Sequence, residues 1–149
     1  MHVLPTIAEE AQNESPLWAR SVLPNAAQEA VAVFSPLAPP AFAIGLETTY
    51  EAYLVHYGRP RLFAASDADE AVLLGDYLYA HGLVRIAQAG GVPAVAVMAD
   101  LISTCAALRA AGGAGDGDAW VAAARELGGE PAEDAVERAL AEHSGRVVA

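Results

Sequence analysis

Residues 70–80 read as an apolar helix broken at its centre by two residues that do not suit one, Gly75 and Asp76. Gly costs about 1 kcal/mol against Ala in a helix interior, and a carboxylate on a buried face needs a partner or a shifted pKa. The pair is therefore expected to serve something other than helix stability. Gly82 repeats the small residue one heptad later, so Ala68, Gly75, Gly82 and Ala89 line one face along which a neighbouring helix backbone can come unusually close. Asp76 flanks that line together with Val72, Tyr79 and Leu83.

Helix signals recur along most of the chain. Ser15 before Pro16 and Asn25 before Ala26 mark the starts of two short helices, with a weaker capping box at Thr6–Glu9 ahead of them. Pro36, Pro39 and Pro40 force a corner. Residues 41–57 keep helical spacing and stop at Gly58-Arg59-Pro60. Ser66 or Asp67 caps the helix that carries Gly75 and Asp76, which is expected to end near Ala89 before Gly90-Gly91. Pro93 then opens another helix, reaching about Ala111. The Gly-rich stretch 112–117 reads as a flexible linker, because it lacks the Lys that follows a phosphate-binding loop. Two shorter helices are expected at 118–127 and 131–143. No alternating strand pattern appears. The expected architecture is an all-α antiparallel bundle forming a single domain over 1–149: an irregular helical lead-in at 1–40, central helices at 41–111, the 112–117 loop, and short helices at 118–149.

Composition narrows the function classes. With 19 acidic against 8 basic residues, a nucleic-acid surface is disfavoured, since phosphate binding requires clustered Lys and Arg. The single Cys105 excludes an internal disulfide framework and suits a reducing, cytoplasmic setting. The N-terminus lacks the basic and long apolar regions of a signal peptide. The most apolar stretch, 92–108, is interrupted by Asp100 and reads as a buried core helix rather than a membrane span. His2, His56, His81 and His143 are scattered without zinc-site spacing, and no serine-hydrolase or dinucleotide motif occurs. His81 is expected on a solvated face with Glu70, Arg85 and Gln88. Ser103 and Thr104 read as hydroxyls bonding back to helix carbonyls rather than as nucleophiles.

Glu47 and Glu51 are the one acidic pair with functional content. Four residues apart, they share a helix face and could hold a divalent ion against a diphosphate. The plainer expectation is two solvated glutamates, because such Mg²⁺ sites recruit more carboxylates and a basic residue as well.

The stretch Leu73-Leu74-Gly75-Asp76-Tyr77-Leu78-Tyr79-Ala80 resembles the Gly-Asp helix of the trans-polyprenyl diphosphate synthases, which follows their first aspartate-rich motif. Gly58-Arg59-Pro60 is similar to the Gly-x-Pro found between those two helices in that family. The resemblance spans roughly 41–108 and implies a truncated isoprenoid-synthase-like bundle. In its register, Glu47 and Glu51 fall at the first and last aspartates of Asp-Asp-x-x-Asp, and Thr48 replaces the middle one. His56 and Tyr57 fall where an arginine pair would grip the diphosphate.

The departures bear on activity. The family ionises an allylic diphosphate using Mg²⁺ held by two aspartate-rich motifs. This chain has no Asp-Asp-x-x-Asp, and its late acidic pair Glu133-Asp134 follows a different pattern. It resembles instead the non-catalytic small subunits of heteromeric hexaprenyl and heptaprenyl diphosphate synthases. That likeness implies no catalytic residue or metal site of its own, a catalytic large subunit as partner, and Mg²⁺ held there. It implies a vestigial motif at Glu47, Thr48 and Glu51, and a partner or tunnel-lining surface at Val72, Gly75, Asp76, Tyr79, Gly82 and Leu83. The alternatives are a residual prenyltransferase using Glu47 and Glu51, and a self-associating helical bundle unrelated to prenyl chemistry.

Overall fold

The computed structural model describes residues 2–113 and 115–147; Ala114 of the expected 112–117 linker and positions 1, 148 and 149 of the expected domain lie outside the described residues. The element order is α1 (Val3–Glu14), α2 (Pro16–Ser21), α3 (Ala26–Glu29), 3-10 turns at Ser35–Leu37 and Pro40–Phe42, α4 (Ala43–Tyr57), α5 (Ala68–Ala110), α6 (Asp116–Glu126) and α7 (Glu133–Arg146). Among the described residues no strand forms; two isolated β-bridges, Val22 to Phe63 and Gly58 to Val147, tie loops together. The chain is all-α.

Local chemistry accounts for most boundaries. The Ser15 hydroxyl oxygen accepts from Leu17 N at 3.0 Å, with Pro16 in the first turn of α2. Asp67 caps α5 by accepting from Glu70 N at 2.8 Å. Thr6, expected to begin a helix, instead lies inside α1, and its hydroxyl donates to His2 O at 2.8 Å. Asn25 precedes α3 in the left-handed region (φ 60°), without a side-chain cap. Gly91 supplies the expected break: at φ 68°, ψ −161° it kinks α5 two residues before Pro93.

Helix α4 is the axis of the molecule, with every residue from Gly45 to Leu54 buried. Helix α5 lies along one side of it through the line of small residues. A Cβ at Gly75 would overlap the His56 ring, and one at Gly82 would overlap the Thr49 hydroxyl and come within 3.2 Å of Gly45 O. The close helix approach expected from the sequence is present, and the neighbour is α4 of the same chain. Gly75 and Gly82 are buried within this contact, so they do not form a surface for a partner. Ala68 and Ala89, the outer members of the line, are exposed.

Packing around α4 forms two apolar clusters. One gathers Phe34, Leu46, Tyr50, Tyr53, Met98 and Trp120 under α6 and α7. The other joins Leu4, Ile7 and Trp18 of the lead-in to Phe63, Leu74 and Leu78. The stretch 92–108, expected to be a buried core helix, buries only the stripe Ala94, Met98, Leu101 and Cys105. Its outer side is exposed, Val92 to 82%. The reason is geometric: this half of α5 is packed along one side only. By length and composition α5 is apolar enough to cross a membrane, its most apolar window reaching a mean hydropathy of 1.7.

Candidate functional site

Two polar centres lie inside the bundle, both anchored on α4. The first closes around Arg61, which follows the Gly58-Arg59-Pro60 stop and turns back onto the helix. Its Nη1 donates to Glu47 Oε1 at 2.6 Å and to Val31 O at 2.8 Å, and its Nε donates to Glu51 Oε1 at 3.0 Å. Glu47 Oε2 accepts from Val33 N at 3.1 Å and Ser35 N at 2.8 Å; Glu51 Oε2 accepts from Leu62 N at 2.8 Å. All three side chains have no solvent exposure. Burial works against the guanidinium's charge, but Glu47 and Glu51 outweigh it and hold the Arg61 pKa above its ordinary value.

This arrangement corrects the expectation of two solvated glutamates. It also leaves no carboxylate oxygen for a Mg²⁺ ion, because each is already engaged by a guanidinium or a backbone amide and the side chains have no exposure. Thr48, at the middle of the vestigial motif, is buried and bonds back to Ile44 O at 2.7 Å.

The second centre lies at the far side of Tyr50, whose ring also carries the Arg61 guanidinium 5.1 Å from its centroid. The Tyr50 hydroxyl lies 2.7 Å from His143 Nδ1, and His143 Nε2 lies 3.0 Å from Asp116 Oδ1. Asp116 Oδ2 accepts from Tyr53 at 2.6 Å and from Arg109 Nη2 at 2.5 Å, and Oδ1 accepts from Gly117 N at 2.9 Å. Asp116 and His143 are 5% and 3% exposed. Burial opposes ionisation of Asp116, but the contacts from His143, Tyr53 and Arg109 outweigh it and hold its pKa well below the usual carboxylate range. Burial pushes Tyr50 and Tyr53 far above the ordinary phenol value, so both keep their protons. A proton on His143 Nε2 avoids setting a lone pair against Asp116, and Tyr50 then donates to Nδ1. Cys105, buried beside this centre, has its thiol pushed up to about 12, chiefly by burial, and is inert as a nucleophile.

A shallow cavity of about 300 Å³ opens onto this second centre, between the start of α6 and the last turn of α7, and reaches Arg109, Asp116, Asp118, His143 and Ser144. Among the described residues no group of three or more His, Cys, Asp or Glu side chains could hold a metal ion.

The residues singled out from the Gly-Asp helix are divided. Val72 and Asp76 face solvent, Asp76 with 70% of its side chain exposed, so that carboxylate needs no buried partner. It lies 3.7 Å from His56 Nε2, and the His56 ring stacks on Tyr79 at 5.3 Å. Tyr79 and Leu83 are half-buried against the core. His81 pairs with Glu10 of α1 at 2.8 Å, with Arg85 on the same carboxylate, while Glu70 is engaged with Ser66 and Ser21. Arg61, Asp116 and His143 carry the two centres and were missed. The available signal for Arg61 was the demand of two glutamates on an apolar helix for a nearby cation. Asp116 was hidden in a stretch that reads as a linker, although it opens α6 and is buried.

No family model, curated protein or solved structure matches this chain.

Proposed function

We propose that the chain is a non-catalytic helical subunit that assembles with a catalytic polyprenyl diphosphate synthase in the cytoplasm and helps set the length of its product. What supports the reading is the closure of Glu47 and Glu51 around Arg61, at positions that the resemblance aligns with that family's metal-binding aspartates. Prenyl transfer by ionisation requires carboxylate-held Mg²⁺ facing the diphosphate. In this proposal the metal belongs to the catalytic partner, and α4 and α5 keep the family's helix pair as a scaffold, a truncated isoprenoid-synthase-like bundle. The outer side of α5 offers the docking face: Val72, Leu73, Val84 and Val92 are each more than half exposed, with Asp76 among them. Burial of such surface at about 25 cal/mol per Å² favours association.

Co-expression with a synthase encoded nearby tests it. The two chains are expected to co-elute, and mixing them to change product length or activity. Failure to co-elute together with an unchanged product distribution overturns the proposal. Product formed by the pure chain from farnesyl diphosphate, isopentenyl diphosphate and Mg²⁺ would favour a residual prenyltransferase instead. A stable homo-oligomer that ignores the synthase would favour a self-associating bundle.

A further inference from the structure

Residues 30–34 run between α3 and the first 3-10 turn without joining a helix. Val31, Val33 and Phe34 give the stretch the β-branched and aromatic character of a strand. Side chains satisfy its inner edge: Arg61 Nη1 donates to Val31 O at 2.8 Å, and Glu47 Oε2 accepts from Val33 N at 3.1 Å. The ion pair thus takes the place of a neighbouring strand, offering one donor and one acceptor to the residues on either side of Ala32. In extended backbone successive residues send their peptide groups to opposite edges, so the N–H and C=O of Ala32 point away from Arg61 and Glu47. Among the described residues neither has a hydrogen-bond partner. An open edge of this kind is a template for pairing with another extended chain.

Ala32 is half-buried and lines two cavities at once. One, of about 690 Å³, reaches the starts of α1 and α3, with Leu4, Pro5 and Ala27 in its wall. The other, of about 450 Å³, reaches α7, with Ala135 and Ala139 in its wall. A bare strand fits between such walls, whereas the same edge of a second copy would be recessed in the same way. The surroundings are acidic: Glu29 precedes the stretch, and α7 carries Glu133, Asp134, Glu137 and Glu142 against Arg138 and Arg146.

We infer that the outer edge of residues 30–34 docks an extended peptide, which adds as a strand through the N–H and C=O of Ala32. Its alternate side chains are small and aliphatic and enter the two cavities, and its flanks are basic, to complement Glu29 and α7. No synthase partner is needed for this binding.

Titration of the ¹⁵N-labelled full chain with the blocked peptide Lys-Lys-Val-Ala-Val-Lys-Lys tests it. The Ala32 amide signal is expected to shift saturably and its exchange with solvent to slow, while the Val33 amide, already held by Glu47, keeps its exchange rate. Methylating the three central amide nitrogens of the peptide keeps its charge and side chains but removes its donors, and should weaken binding about tenfold or more. Exchanging its lysines for glutamates should weaken binding as well, most strongly at low salt. Ala32→Pro removes a donor that makes no bond within the fold, and should abolish the peptide's effect with helical circular dichroism unchanged. Should that variant not fold, the methylated peptide carries the same test. Absence of a saturable shift at Ala32, or equal binding of the methylated or the glutamate peptide, overturns the inference. Slow Ala32 exchange that depends on protein concentration without peptide also overturns it, in favour of a second copy on this edge.

Discussion

The Arg61 and Asp116 centres are joined through Tyr50, yet they differ in how completely they close. Around Arg61 each carboxylate oxygen has a donor and the side chains have no exposure. Around Asp116 the ion pair with Arg109 is partly open to solvent, and a cavity lies alongside. Both are assemblies of buried charge, but a cavity opens onto the second. A fully satisfied buried network rigidifies and specifies a fold, and access of solvent weakens the electrostatics that hold one together.

The largest expected effect comes from opening the closed centre. Arg61→Met leaves two carboxylates buried without their cation and should cost about 3–5 kcal/mol, read as a fall in the urea midpoint at unchanged slope. Replacing the whole set by Glu47→Leu, Glu51→Leu and Arg61→Met should recover only part of that loss. The amides of Val33, Ser35 and Leu62 would still lack acceptors. Full recovery would mean that the network is dispensable for stability and that the closed centre does not fix the fold.

A control on the α5 side of the same helix should rank next. Gly82→Leu drives its side chain into Thr49 and the Gly45 carbonyl, backbone as well as side chain, and is expected to cost about 2–3 kcal/mol by thermal unfolding. In Gly75→Ala the atoms nearest the new Cβ belong to the His56 ring, 21% exposed and able to move, and the helix propensity gained, about 1 kcal/mol, offsets most of the strain.

The smaller polar effect belongs to the open centre. Asp116→Asn should cost about 1–2 kcal/mol near neutral pH, less than Arg61→Met because Asn keeps a hydrogen-bonding side chain toward Tyr53 and Arg109. Its sign with pH is fixed by the depressed folded-state pKa. The stabilisation is fully present above the unfolded value of about 3.9 and is lost as pH falls below it toward the folded value. The gap between parent and variant should therefore shrink on acidification below about pH 4. A gap independent of pH would show that the charge of Asp116 contributes nothing.

What the sequence made legible was chiefly local. Ser15, Asp67, Gly58 and the Gly91–Pro93 break each act within one turn of themselves, so their signals survive without knowledge of the fold. The glycine line correctly announced a close helix contact, but spacing alone does not say whether the neighbour comes from the same chain. Asp76 is exposed because α5 buries only one stripe of the apolar run that carries it. The pairing of Glu47 and Glu51 with Arg61, and of Asp116 with His143, depends on loops and helices returning from elsewhere in the chain. Periodicity carries no trace of such returns.

Glu47 has a consequence for the order in which the molecule is built. The amides of Val33 and Ser35 lie outside any helix ladder and find their acceptor on a side chain of α4. That carboxylate is in turn set by Arg61, which arrives from beyond the end of the helix. Three separate stretches therefore become native together or not at all. Their loop amides should exchange with solvent as slowly as those of the helical interior, reporting on global opening rather than on the local fraying usual for irregular segments.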